Sequence, residues 1–144
     1  MSITDIDHIP CARVKRGSLL VIDSRPCKVM NETTSKTGKH GHAKKIITAV
    51  DIFNEKKYVT TYSTADTLDA PIVKTVEYQL LSVEDDGYLD LLDDLGNQIG
   101  EFRTPDNVLG KTIRHKYDDG ENLNIIIKSA LGINMVADYK IDKS

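Results

Sequence analysis

Short stretches of alternating apolar and polar residues, separated by turn signals, recur along this chain and restrict it to a mainly β fold. Residues 18–22 form a first such stretch, and Asp23-Ser24-Arg25-Pro26 follows as a turn. Residues 27–33 and 43–53 are predicted strands. In the second, Ile46, Thr48, Val50 and Ile52 alternate with Ile47, Ala49 and Asp51, so at least one face is buried. Asn54-Glu55-Lys56-Lys57 turns the chain into a strand over 58–63. Residues 64–71 are small and polar, end in Pro71 and interrupt the pattern, which makes them the expected linker.

Beyond that point strands resume at 74–84, 88–92 and 98–103. Asp85-Asp86-Gly87 is a hairpin turn with glycine where positive φ is wanted, and a second turn spans 93–97. Thr104-Pro105-Asp106 is a predicted helix start, with a capping hydroxyl, proline in the first turn and an acid near the N-terminus. Val108, Leu109, Thr112, Ile113 and Lys116 continue at helical spacing until Asp118-Asp119-Gly120. Leu123, Ile125 and Ile127, then Ile133, Met135, Ala137 and Tyr139, alternate on two final strands. Five strands with one helix between the third and fourth is the order of an OB-fold barrel. The all-β first half is compatible with a small SH3-like barrel. With 144 residues the chain holds one ordinary domain or two small ones. The expected division is 1–69 and 70–144.

Charge separates the halves. Residues 1–70 carry 11 Lys/Arg against 8 Asp/Glu, and residues 71–144 carry 8 against 14, within a net charge of −3. An RNA-binding face is therefore expected on the first half, around Lys36, Lys39, Lys44 and Lys45, with Glu32 the single acid nearby. These lysines belong to the loop Thr34-Ser35-Lys36-Thr37-Gly38-Lys39-His40-Gly41-His42-Ala43-Lys44, polar and punctuated by two glycines between two strands. Lys39 between the glycines is expected to be presented outward.

Several chemistries fail on spacing. Gly38-Lys39 mimics the end of a P-loop, but Thr33 stands at the first glycine position, His40 replaces the hydroxyl, and a strand follows where a helix is required. His40 and His42 have no companions for a four-ligand zinc set. The acids Glu84, Asp85, Asp86, Asp90, Asp93 and Asp94 lack calcium-loop spacing and read as solvated hairpin turns. Cys11 and Cys27 have no neighbouring base and read as free buried thiols, so no enzyme acting on a small-molecule substrate is expected. Neither an apolar signal segment nor a run of the ~20 residues of a membrane span is present, and a cytosolic or nuclear location without membrane attachment is expected. The residues alone leave two readings of Lys39 open: a plain phosphate contact, or the target of a dedicated modification.

The loop at 34–44 resembles the hypusine loop of the eukaryotic translation initiation factor 5A family, whose modified lysine lies between Gly and His-Gly-His. Arg25-Pro26-Cys27-Lys28, Asp51-Ile52-Phe53, Lys56-Lys57-Tyr58, Asp86-Gly87-Tyr88-Leu89, Leu109-Gly110-Lys111 and Lys116-Tyr117-Asp118 follow in that family's order, over roughly 9–140. The resemblance implies an N-terminal SH3-like barrel carrying the loop and a C-terminal OB-fold. It implies hypusine at Lys39, made from spermidine by deoxyhypusine synthase and deoxyhypusine hydroxylase, and no separate cofactor. Lys36, Thr37, Gly38, His40, Gly41, His42 and Lys44 would then serve recognition by those enzymes or by RNA. The implied role is that of a translation factor in elongation, initiation and termination. It would sit in the ribosomal exit site beside peptidyl-tRNA and promote peptide-bond formation at stalling sequences such as polyproline.

Overall fold

In the computed structural model, residues 6–36 and 43–143 are described. They form two compact units, one built on residues 6–72 and the other on 73–129 and 133–143. Each has its own apolar core.

The first unit owes its core to period-two patterning. Strands β2 (Leu19–Ile22), β3 (Arg25–Ser35), β4 (Lys44–Asp51) and β5 (Lys57–Ser63) make an antiparallel sheet in that order. Leu20, Ile22, Cys27, Val29, Ile47 and Ala49 fill its inner face. The β2–β3 turn is tighter than the four residues expected from sequence. Asp23 and Ser24 both adopt positive φ (51° and 62°), the backbone of a two-residue hairpin turn, and Arg25 already pairs with Ile22. The register of β3 against β4 slips between Val29 and Asn31, so Met30 is a bulge residue that bends the long strand.

The expected linker is a strand for most of its length. Thr67–Pro71 is β6, antiparallel to β1 (Ile6–Pro10), with Ile9 opposite Leu68 and both packed on the core. Local propensity could not reveal this, because the pairing partner lies some sixty residues upstream. A short 3-10 turn, Cys11–Arg13, follows β1. Together these elements form the SH3-like barrel.

The second unit contains β7 (Lys74–Val83), β8 (Leu89–Leu92), β9 (Gln98–Ile99), α1 (Val108–Asp118), β10 (Leu123–Ala130) and β11 (Ile133–Ile141). The sheet order β11-β10-β7-β8-β9, with the helix between β9 and β10 along the chain, is that of an OB-fold. Asp86 accepts a hydrogen bond from the Tyr88 N–H (3.1 Å), and Asp93 accepts from the Leu95 and Asn97 N–H groups (2.9 and 2.8 Å), so both acids shape hairpin turns. Gly87 sits at φ 91°, as its turn requires.

The helix begins later than Thr104. Asn107 is the N-cap, its side chain accepting from the Gly110 N–H at 3.1 Å, while the Thr104 hydroxyl donates to the Gly87 carbonyl. Both residues are good caps; the carbonyl of Gly87, 17 residues away in sequence, engages Thr104 and leaves the role to Asn107. Gly110 is required by close approach, since a Cβ there would stand 1.8 Å from the Pro105 carbonyl oxygen.

Candidate functional site

The β3–β4 hairpin carries the lysine-rich loop. Its last paired residues are Ser35 and Lys44, preceded by Thr34 with Lys45 and Thr33 with Ile46. Thr37, Gly38, Lys39, His40, Gly41 and His42, and with them the expectation that Lys39 points outward, lie outside the described residues. Lys36 and Lys44 flank the base, and both are exposed. The two cations therefore stand where the loop leaves and rejoins the sheet.

Lys45 behaves differently. Only 5% of it is accessible, and its Nζ donates to the carbonyls of Val14 (2.8 Å) and Ala12 (3.2 Å), with a Glu32 carboxylate oxygen at 3.7 Å. The expectation that Lys45 adds to an RNA-binding face is corrected here: its charge is satisfied inside the barrel. Strand alternation explains this, because Lys45 shares its face with Ile47, Ala49 and Asp51, all buried. The opposite face, with Ile46 41% exposed, looks outward despite its more apolar residues. Glu32, the single acid near these lysines in sequence, supports Lys45.

A second buried charge closes the far end of the same strand. Asp51 is fully buried and receives Arg25 Nε at 2.6 Å, Arg25 Nη2 at 3.3 Å, and the N–H groups of Phe53 (2.8 Å) and Asn54 (3.2 Å). Burial alone would raise its carboxyl pKa. The Arg25 hydrogen bond and the two backbone donors outweigh that and hold it below the usual carboxylate range. Strand β4 is thus pinned by Lys45 under the loop and by Asp51 at the other end. From the neighbouring strand side, Thr64 fixes Ala43, whose carbonyl accepts from the Thr64 N–H (2.9 Å) and hydroxyl (3.0 Å). The base of the hairpin is thus held in register on both strands.

Cys11 and Cys27 are free and buried. Desolvation pushes both thiols up, Cys27 to about 11 with help from the Asp51 charge, so neither is poised as a nucleophile. Sequence reasoning had found the loop lysines but not the anchors.

The fold and the sequence between β3 and β4 define a class: an SH3-like barrel whose hairpin carries a cationic, glycine-punctuated segment, followed by an OB-fold. Residues 5–66 match the family model described as "Translation initiation factor 5A-like, N-terminal", and residues 72–140 match "Eukaryotic elongation factor 5A hypusine, DNA-binding OB fold". Eukaryotic translation initiation factor 5A-1 of Schizosaccharomyces pombe is 43% identical over 122 residues, covering 85% of this chain and 77% of the relative. The 5A-1 protein of Saccharomyces cerevisiae is 38% identical over 130 residues, covering 90% and 82%. A solved structure of an eIF-5a family protein from Naegleria fowleri superposes with a TM-score of 0.88 at 32% identity, covering 96% of this chain and all of that one. The chain belongs to the translation initiation factor 5A family. It is a translation factor, and its family carries the hypusine modification.

Proposed function

We propose that Lys39 is the hypusine site, and that the protein acts in the cytoplasm, bound to the ribosome beside peptidyl-tRNA, to promote peptide-bond formation at stalling sequences. The observation that carries this reading is the anchored hairpin base. Ser35 and Lys44 are paired, Lys45 is locked beneath them, and Lys36 and Lys44 flank the run that holds Lys39. A rigid base limits the entropy lost when a loop enters an enzyme pocket or a ribosomal crevice.

Deoxyhypusine synthase would transfer an aminobutyl group from spermidine to the Lys39 ε-amine, and deoxyhypusine hydroxylase would then add one hydroxyl. Thr37, Gly38, His40, Gly41 and His42 would be read along with Lys36 and Lys44 by these enzymes or by RNA. One nitrogen and four carbons more, at about 1.5 Å per bond, add roughly 6 Å of reach. The second amine adds positive charge suited to the anionic acceptor end of tRNA, and the hydroxyl adds a donor and an acceptor for a ribose or base edge. No bond is made or broken by the protein. It restricts the peptidyl-tRNA to reactive geometries, and orientation alone supplies several kcal/mol of barrier lowering. Consecutive prolines, with φ fixed, profit most.

Translation of a polyproline reporter in cells depleted of the endogenous factor tests this. Wild type restores synthesis, and Lys39→Arg, which keeps the charge but offers no ε-amine, does not. Equal rescue by both refutes the reading.

A further inference from the structure

The second unit is acidic, yet its cations are not scattered. Residues 71–144 hold 8 Lys/Arg and 14 Asp/Glu, and three of those cations, Arg103, Lys111 and Arg114, line one cavity of about 620 Å³ that admits a single acid, Asp106. Among the described residues, neither Arg103 nor Lys111 has a carboxylate within ion-pair range. Arg114 donates to the Glu84 carbonyl at 3.0 Å, a contact that leaves its charge uncompensated. With three cations to one carboxylate the cavity keeps a net positive charge, and a bound anion relieves the repulsion among its cations.

Arg103 is also held in place. Its guanidinium carbon lies 5.8 Å from the centre of the Tyr88 ring, and its chain runs so close to Gly87 that a Cβ there would stand 3.3 Å from Arg103 Nε. A guanidinium oriented in advance loses less entropy on meeting a ligand.

A second cavity of about 260 Å³ shares Arg103 and Pro105 with the first. Its other walls are of a different kind: Tyr88, Phe102, Met135 and Val136, with Glu101 and Asn134 as polar groups. Tyr88 is 41% exposed, an aromatic face left in contact with solvent. A cationic cleft and a cleft with aromatic and polar walls thus meet at one arginine. This is the pairing a nucleotide needs, with phosphate on one side and base on the other.

We infer that Arg103, Lys111 and Arg114 take the phosphodiester of a single-stranded RNA nucleotide whose base stacks at Tyr88. A base must be unpaired to reach the ring, which selects single strands over duplex. The site lies wholly within the second unit and does not depend on modification of Lys39, so it stands or falls separately from the reading above.

The full chain, ¹⁵N-labelled, is titrated with a single-stranded oligouridylate, with duplex RNA and with inorganic phosphate. The oligouridylate shifts the amides of Tyr88, Arg103, Lys111 and Arg114 at lower concentration than the other two. By anisotropy, Arg103→Gln/Lys111→Gln weakens binding about tenfold and lowers the log–log salt slope by about 1.4, two phosphates at ~0.7 each. Tyr88→Leu also weakens binding about tenfold but leaves the slope unchanged. Shifts confined to residues before Ile72, no shift anywhere, variants that bind like wild type, or perturbation by inorganic phosphate equal to that by RNA would each overturn the inference. The wild-type titration decides even where a variant fails to fold.

Discussion

Replacing Lys45 by methionine tests the claim that a buried cation secures the loop base. Methionine keeps most of the side-chain volume and removes only the ammonium, which donates to Val14 at 2.8 Å and Ala12 at 3.2 Å. A hydrogen bond from a charged group contributes about 1.5–3 kcal/mol, so the two together give roughly 3–6 kcal/mol. Relief from desolvating the ammonium offsets part of this. The net loss is about 2 kcal/mol, the cost of leaving buried carbonyls without their donor. For a unit of this size each kcal/mol moves the midpoint by about 4–8 °C, so a fall of about 8–16 °C is expected. Lys44→Met, one residue earlier and exposed, serves as the control and changes stability by less than about 0.5 kcal/mol. Urea unfolding followed by far-ultraviolet circular dichroism gives the stability. Hydrogen exchange at the Thr34 and Lys45 pair reports the base directly. If Lys45→Met proves as stable as wild type, the two carbonyl contacts do not hold the hairpin and the anchoring argument is wrong.

The depressed carboxyl of Asp51 stabilises the fold fully above the unfolded carboxylate range, and that contribution disappears as pH falls through its lower folded value. Asp51→Asn is therefore expected to cost about 3 kcal/mol at neutral pH and to flatten the acid limb of a stability–pH curve; an unchanged acid limb contradicts this. Gly110→Ala gains about 1 kcal/mol of helix propensity but puts a methyl 1.8 Å from the Pro105 carbonyl, so its urea midpoint should fall. A midpoint at or above wild type would show that the segment before α1 yields freely. Cys11 and Cys27 should resist a thiol reagent at pH 8 until denaturant is added, because burial raises both thiols; one equivalent consumed under native conditions would refute that.

Most strands were legible because their alternation is strong, as in Leu123, Ile125 and Ile127, all buried in β10. Which face of β4 is inner was not: Ile46 and Val50 make the outer face more apolar in sequence, yet the face carrying Lys45 and Asp51 is the one in the core. The stem of a lysine is apolar, and its charge needs only donor-hungry carbonyls within reach, a condition set by the 3-10 turn some thirty residues away. β6 escaped for the same reason, since its partner β1 is remote and Pro71 resembles a linker stop. The cap at Asn107 was not legible because capping preference alone cannot show that the Thr104 hydroxyl is taken by the Gly87 carbonyl. At the loop, Lys36 and Lys44 are exposed at the hairpin base, and the modification at Lys39 rests on the resemblance, not on any contact.

The most direct test of the account is peptide-resolved mass analysis of the protein taken from its native host. A single added group, the mass of an aminobutyl unit plus one oxygen, is expected on Lys39 and on no other lysine. An unmodified Lys39 in all molecules, or the same group on Lys36 or Lys44, would contradict it.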